Sequence, residues 1–326
     1  MKLVVATISV MTAFMALAMT PEAARSFQAF ERRAEAGDPE ALYRLSAILE
    51  KGYDSIPADT VRSLELLKRS ARAGYGPAQN YLGYLYQTGT MLEADPDSAR
   101  FYIRSAADNG DNMAAYNLAY LLLAEERPEA VSYLERAADA GLPQAQTRMA
   151  DLLAEGEILP ADTLKAVELY EKAIRQGFHD AELRLLNMMG PRWMKLDAAT
   201  ALDEALRYRA LGAPTIAVEL LLQIGPLEPQ TARAYALLGH AYSRGEGAPY
   251  DHRKANEYFA MAAIMGNPSA QFILAETLEI FPDALRDLMP DLAASMTAAS
   301  LRESAAKAGI TSAEEASAAL VEAMVP

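Results

Sequence analysis

Residues 234–270 read AYALLGHAYSRGEGAPYDHRKANEYFAMAAIMGNPSA. Counted from Ala234, Leu238 and Gly239 stand at offsets 4 and 5, Tyr242 at 8, and Gly245 and Gly247 at 11 and 13. Asp251, Lys254, Ala255, Tyr258, Ala262 and Ala263 follow, and Gly266 closes the stretch before a new alanine at 270. Offsets 0, 4 and 8 share one stripe of a helix, and a small residue at 5 lets a second helix come close. A glycine after the last apolar turn suits a left-handed C-cap. The stretch predicts one helix–loop–helix unit.

The rest of the chain repeats it. An acidic residue stands fifteen positions before a glycine in Asp59/Gly74, Asp95/Gly110, Glu126/Gly141, Asp162/Gly177, Asp197/Gly212 and Asp251/Gly266. Four residues past these glycines come Ala78, Ala114, Ala145, Ala181, Ile216 and Ala270, and four further on Leu82, Leu118, Met149, Leu185, Leu220 and Leu274. Gly37 with Ala41 and Leu45 supplies an earlier copy, and Gly309 with Ala313 a terminal one. Pro39, Pro143, Pro214 and Pro268 fit first turns of helices, and the acids fit helix starts, where they complement the dipole. In the compressed third copy Glu126 takes the acidic slot. A period near 36 marks a solenoid, in which each helix pair buries its apolar face only against its neighbours.

These residues spell A-x-x-x-L-G-x-x-Y-x-x-G-x-G, then D-x-x-K-A-x-x-Y, then A-A-x-x-G. The pattern resembles Sel1-like repeats, which are related to the tetratricopeptide family, over roughly residues 27–324. The resemblance implies an all-α, right-handed α/α solenoid of helix–turn–helix repeats that works as a non-catalytic protein-binding scaffold. Exported members of the family resemble regulators of envelope signalling or scaffolds for polysaccharide assembly.

The net charge of −14 argues against nucleic acid and against adsorption to anionic lipid, and it leaves room for a basic partner. Residues 1–24 stand outside the repeat. Lys2 precedes an apolar run from Leu3 to Met19, and Ala16-Leu17-Ala18 offers a small-x-small site, which predicts a signal peptide cut after Ala18. The expected location is the bacterial periplasm or outside the cell. The other reading keeps residues 3–19 as an inner-membrane anchor and makes the protein a membrane-tethered adaptor. Cysteine is absent, so no disulfide framework and no thiol chemistry is available.

Residues 25–189 read as a first block of repeats and 232–326 as a second, closed by C-terminal capping helices. Between them, residues 190–231 form an irregular bend or seam. It opens on a loop, Gly190 to Met194, that holds the one tryptophan, Trp193, and one second-type helix is missing from it. Thr311-x-x-Glu314 reads as a capping box for the last helix.

Chemistry is hard to place on this chain. His179, His240 and His252 lie in different repeats without ligand spacing, so no metal, no cofactor and no catalytic residue is expected. The rival enzyme, an envelope hydrolase acting on cell-wall material, would need a converging acid pair, and adjacent acids such as Glu125-Glu126 point apart on a helix. The better candidate is the face at offsets 2, 6 and 9 of the first helices, which lines the concave groove in the tetratricopeptide family. It carries Tyr43, Ala47 and Glu50, then Asn80, Tyr84 and Gln87, then Tyr116, Tyr120 and Leu123, and in later copies Thr147, Asp151, Leu183, Asn187, Ala236, His240, Phe272 and Glu276. Tyrosine joins a large contact area to a hydrogen-bonding tip, which suits a partner peptide or helix. Trp193 is a further candidate contact.

Overall fold

A computed structural model of the protein describes residues 21–53, 56–284 and 296–322. The proposed leader and its cleavage site, through Thr20, lie outside the described residues. Every extended regular element among those described is an α-helix. In chain order the first seven are α1 (Pro21–Glu35), α2 (Pro39–Lys51), α3 (Thr60–Arg72), α4 (Gly76–Thr88), α5 (Pro96–Asp108), α6 (Asn112–Ala124) and α7 (Ala130–Asp139). Next are α8 (Pro143–Glu155), α9 (Thr163–Arg175), α10 (His179–Trp193), α11 (Ala198–Leu211) and α12 (Pro214–Leu222). The last are α13 (Thr231–Arg244), α14 (His252–Ile264), α15 (Pro268–Ile280), α16 (Ala298–Lys307) and α17 (Ala313–Glu322). None of the described helices is long and apolar enough to cross a membrane. The chain divides into two compact units, 1–149 and 150–326, with the division inside α8.

The helices start where the acids stand. Asp59, Asp95, Asp162, Asp197 and Asp251 are the N-caps of α3, α5, α9, α11 and α14. Each accepts a hydrogen bond from the backbone N–H three residues on, at 2.9–3.2 Å. Asp38, Asp111 and Asn267, each directly after a repeat glycine, do the same for α2, α6 and α15. Such a cap is worth about 1 kcal/mol. At the other end Gly266 (φ +88°) donates to the Ala263 carbonyl, and Asn267 donates to that of Ala262. This pair of bonds satisfies the last turn of α14 and needs a left-handed residue between them.

Glu126 corrects the acidic ruler. It does not cap α7, whose N-cap is Glu129 with no side-chain cap bond. Instead it takes φ +55° and donates to the Leu123 carbonyl, while Arg127 donates to that of Leu122. In the shortened loop this residue turns the chain at the end of α6, the task glycine has elsewhere. The last helix is corrected by one residue. Ser312 and Glu315, rather than Thr311 and Glu314, form the reciprocal pair: Glu315 N–H donates to Ser312 Oγ, and Ser312 N–H to Glu315 Oε2.

The repeat alanines and leucines are the core. Ala41 and Leu45, Ala78 and Leu82, Ala114 and Leu118, Ala181 and Leu185, Ala234 and Leu238, and Ala270 and Leu274 are all buried. Each such leucine contributes about 1.5–3 kcal/mol. The small residue at offset 5 is required by contact: a Cβ on Gly83 would lie 2.6 Å from Ile103 Cγ1 and 3.0 Å from the Ala99 carbonyl of α5. At Gly239 it would meet the Phe259 ring at 2.7 Å. One recurring tie was not anticipated. Gln79, Gln146 and Gln271, at offset 1, donate through Nε2 to the carbonyl eight residues back, that of Ala71, Ala138 and Ala263.

In residues 190–231 the expected loop at Gly190 is a continuation of helix. α10 runs through Pro191 to Trp193. α12 then follows α11, and α13 follows α12 with no second-type helix between them. The N-terminus of α12 has no cap from its own N-cap residue, Ala213. The buried carboxylate of Glu182 on α10 serves in its place, with Oε1 accepting from Thr215 N–H at 2.5 Å and from Ile216 N–H at 3.1 Å.

Candidate functional site

The first unit presents the tyrosine face. α4 (GPAQNYLGYLYQT) and α6 (NMAAYNLAYLLLA) contain no charged residue, in a chain that is 23% charged. Their buried stripes face the core, and the outward positions include Tyr84, Gln87, Asn112 and Tyr120 beside Met113. Tyr84, Gln87, Tyr116 and Tyr120 line one hollow of about 260 Å³, together with Ile103, Asn117 and Leu121. Tyr84 is 49% exposed and Tyr120 62%.

The other expected residues support this wall. Asn80 Oδ1 accepts from Asn117 Nδ2 at 3.0 Å, tying α4 to α6. Tyr43 is half-buried and packs on Tyr75, with centroids 5.6 Å apart. Burial first, and then Tyr75, Asp111 and Glu50, raise its pKa, so its hydroxyl stays protonated and able to donate. One contributor was not anticipated. Tyr81 stacks on Tyr84 at 6.1 Å and donates its hydroxyl to both carboxylate oxygens of Glu50 at 2.7 Å. Burial, followed by that hydrogen bond, holds its pKa well above the usual tyrosine range. Its signal in the sequence was its place at offset 3, beside the face position at offset 2.

Elsewhere most of the same offsets are closed. Thr147 is buried and donates to the Pro143 carbonyl. In the second unit Asp151 is buried and accepts from Tyr170 at 2.7 Å and from Arg184 at 2.8 Å. Ala236 is buried, and Phe272 lies under Arg302 and beside Ala305 and Ala316 of the last two helices. Leu183 and Asn187 stay exposed. Trp193, read as a contact residue in a loop, is instead 5% exposed at the end of α10. It meets the Tyr208 ring edge-on at 5.1 Å. A residue so enclosed contributes packing; it does not offer a surface.

His240 is also enclosed. Its Nδ1 lies 3.1 Å from Arg209 Nη2, with Glu246 at 3.8 Å. Burial first, then the charge of Arg209, lowers its pKa from 6.5 to about 4. The unfolded chain therefore binds the extra proton between these values, so folding stability falls as pH drops from 6.5 towards 4. The thermal midpoint is expected to decline across that window in the wild type and less steeply in His240→Gln; parallel curves would contradict it. Among the described residues no group of three or more His, Cys, Asp or Glu is placed to hold a metal ion.

Stacked helix pairs with one open tyrosine face define an α/α repeat protein. The Sel1 repeat model matches residues 39–75, 76–111, 112–142, 143–178 and 232–267, more than half of the chain. The chain belongs to the Sel1 repeat family. It is 30% identical over 202 residues to a chitin synthase regulator of Malassezia restricta, covering 56% of this chain and 14% of that protein. It is 28% identical over 267 residues to an uncharacterised protein of Neisseria meningitidis serogroup B, covering 76% of this chain and 56% of that one. The chain thus spans little more than half, at most, of the length of these two relatives. Among solved structures, a Sel1 repeat protein from Oxalobacter formigenes is similar at 24% identity and a TM-score of 0.43, over 93% of this chain and 83% of that one.

Proposed function

We propose that this protein is a non-catalytic adaptor of the bacterial cell envelope. On this reading it is exported by its leader, and it docks an extended or helical partner segment on the tyrosine face of its first unit. Sel1 repeat proteins are generally protein-interaction scaffolds. The observation that carries the finer reading is the convergence of Tyr84, Gln87, Tyr116 and Tyr120 on one hollow. Exposed aromatic rings with amide neighbours are the composition of protein-binding hot spots. The stacked first helices supply a groove of the kind that receives peptides. Relatives named as chitin synthase regulators favour an adaptor over an enzyme, and they make a role in polysaccharide assembly the first pathway to examine.

The test is a crosslinking pull-down from envelope extract with the wild type and with Tyr84→Ala/Tyr120→Ala. Both rings are substantially exposed, so the double variant should keep its helicity by circular dichroism. It should also lose the captured partner by about tenfold or more. Equal capture by a folded variant, or unfolding of the variant, would remove the face as the docking site.

A further inference from the structure

The docking reading leaves open what the tyrosine hollow selects. Resting on that reading, we propose that it receives an arginine or lysine side chain from a basic partner segment. Three observations point to a cation. First, the walls contributed by α4 and α6 carry no charge of their own, so nothing on them repels or neutralises one. Second, the carboxylate of Glu50 takes the Tyr81 hydroxyl through both oxygens, and Tyr81 is stacked on Tyr84 with the planes 12° apart. A phenol that donates to a carboxylate gains electron density in its ring. Tyr81 does not itself line the hollow, but Tyr84, stacked on it, does, and a cation is attracted to the negative face of a ring so placed.

Third, the rest of the molecule shows this chemistry with its own side chains. Arg136 sits over Tyr133 at 5.3 Å, Arg207 over Tyr208 at 4.2 Å, and Lys254 over Tyr242 at 5.1 Å. Tyr84 and Tyr120 are more open than Tyr208 or Tyr242, yet they carry no such cation among the described residues. The net charge of −14 steers a basic segment towards the protein. Asn117 has given its amide N–H to Asn80, which leaves its Oδ1 to accept from a guanidinium. The planar, weakly hydrated arginine head fits a stacked site better than the lysine ammonium.

The purified chain should be titrated with a fluorescein-labelled peptide of alternating arginine and glycine, at about 150 mM salt to screen diffuse attraction. The same peptide with citrulline, which keeps the shape and loses the charge, is the comparison. We expect the arginine peptide to bind about tenfold more tightly than the citrulline peptide. Tyr84→Leu/Tyr120→Leu, which keeps apolar area and removes the rings, should erase that difference, whereas Tyr84→Phe/Tyr120→Phe should retain it. Should the leucine variant lose its helicity, Glu50→Gln reads the same polarisation and should weaken the arginine peptide about threefold.

Equal binding of the two peptides, no binding of the arginine peptide, or an arginine preference untouched by the leucine or Glu50→Gln change would overturn the proposal. The two readings fail separately. A partner captured through Tyr84 and Tyr120 alongside a negative peptide result would sink the cation and keep the docking face. Loss of both would sink the face itself.

Discussion

Gly83→Leu should lower the stability of the first unit by about 3 kcal/mol, at the upper end of ordinary overpacking, with a matching fall in the thermal midpoint. The size follows from what the new atoms meet. A Cβ alone would come within 2.6 Å of Ile103 Cγ1, 3.0 Å of the Ala99 carbonyl and 3.1 Å of the Ile103 nitrogen. Ile103 is fully buried, and two of the three atoms are α5 backbone, so no flexible side-chain end can swing aside. The helix pair has to separate, and separation loosens the contacts of Ala78, Leu82 and Ala99 that hold the unit together. Gly83→Ala, which adds only the Cβ, should lose less than the leucine change and still be measurable. An unchanged midpoint for Gly83→Leu would mean that α4 and α5 do not approach along this line.

Glu182→Ala should destabilise the second unit by about 2–3 kcal/mol, because one buried oxygen serves two backbone donors. Thr215 and Ile216 open α12, and Pro214 and Ala213 before them offer no side-chain cap. Removing the carboxylate leaves those N–H groups without their acceptor beside the positive end of a helix dipole. Glu182→Gln keeps an acceptor and gives up the charge, so its loss should be smaller. Equal losses in the two variants would show that the charge, and not the hydrogen bonds, carries the effect. No loss in either would show that water serves the helix end as well as Glu182 does. Chemical denaturation followed by circular dichroism measures all three proteins.

What could be read from the sequence was local. The glycines and the aspartates fifteen residues before them announce turns and caps that are made within a few residues of themselves. Asp59, Asp95, Asp162, Asp197 and Asp251 accordingly stand where the ruler puts them. Spacing along a helix also placed Tyr84, Gln87, Tyr116 and Tyr120 on a common side. What escaped depends on distant partners or on backbone angles. No motif or spacing marks Glu182, an acid in the first turn of α10, and only the arrival of α12 more than thirty residues later makes it a buried cap. Trp193 follows a proline that looked like a stop, but α10 carries on past Pro191 and turns the indole in against Tyr208. Glu126 has the charge of a cap and the conformation of a glycine, and composition does not distinguish the two. The offsets that are open in α4 and α6 are closed in α8 and α13, and at Phe272 of α15, because the residues there meet neighbours that the repeat pattern does not encode.

The most direct test of the docking face is a photo-crosslink placed on it. A benzophenone amino acid replaces Tyr120, which is 62% exposed in the hollow, and in a parallel protein it replaces Tyr250, which is 61% exposed in the other unit. After irradiation in cells that make the protein, Tyr120 should give a discrete adduct of one mass. That adduct should disappear when Tyr84→Ala is added, and position 250 should not give it. The same adduct from both positions, or one that survives Tyr84→Ala unchanged, would contradict a partner seated on the tyrosine face.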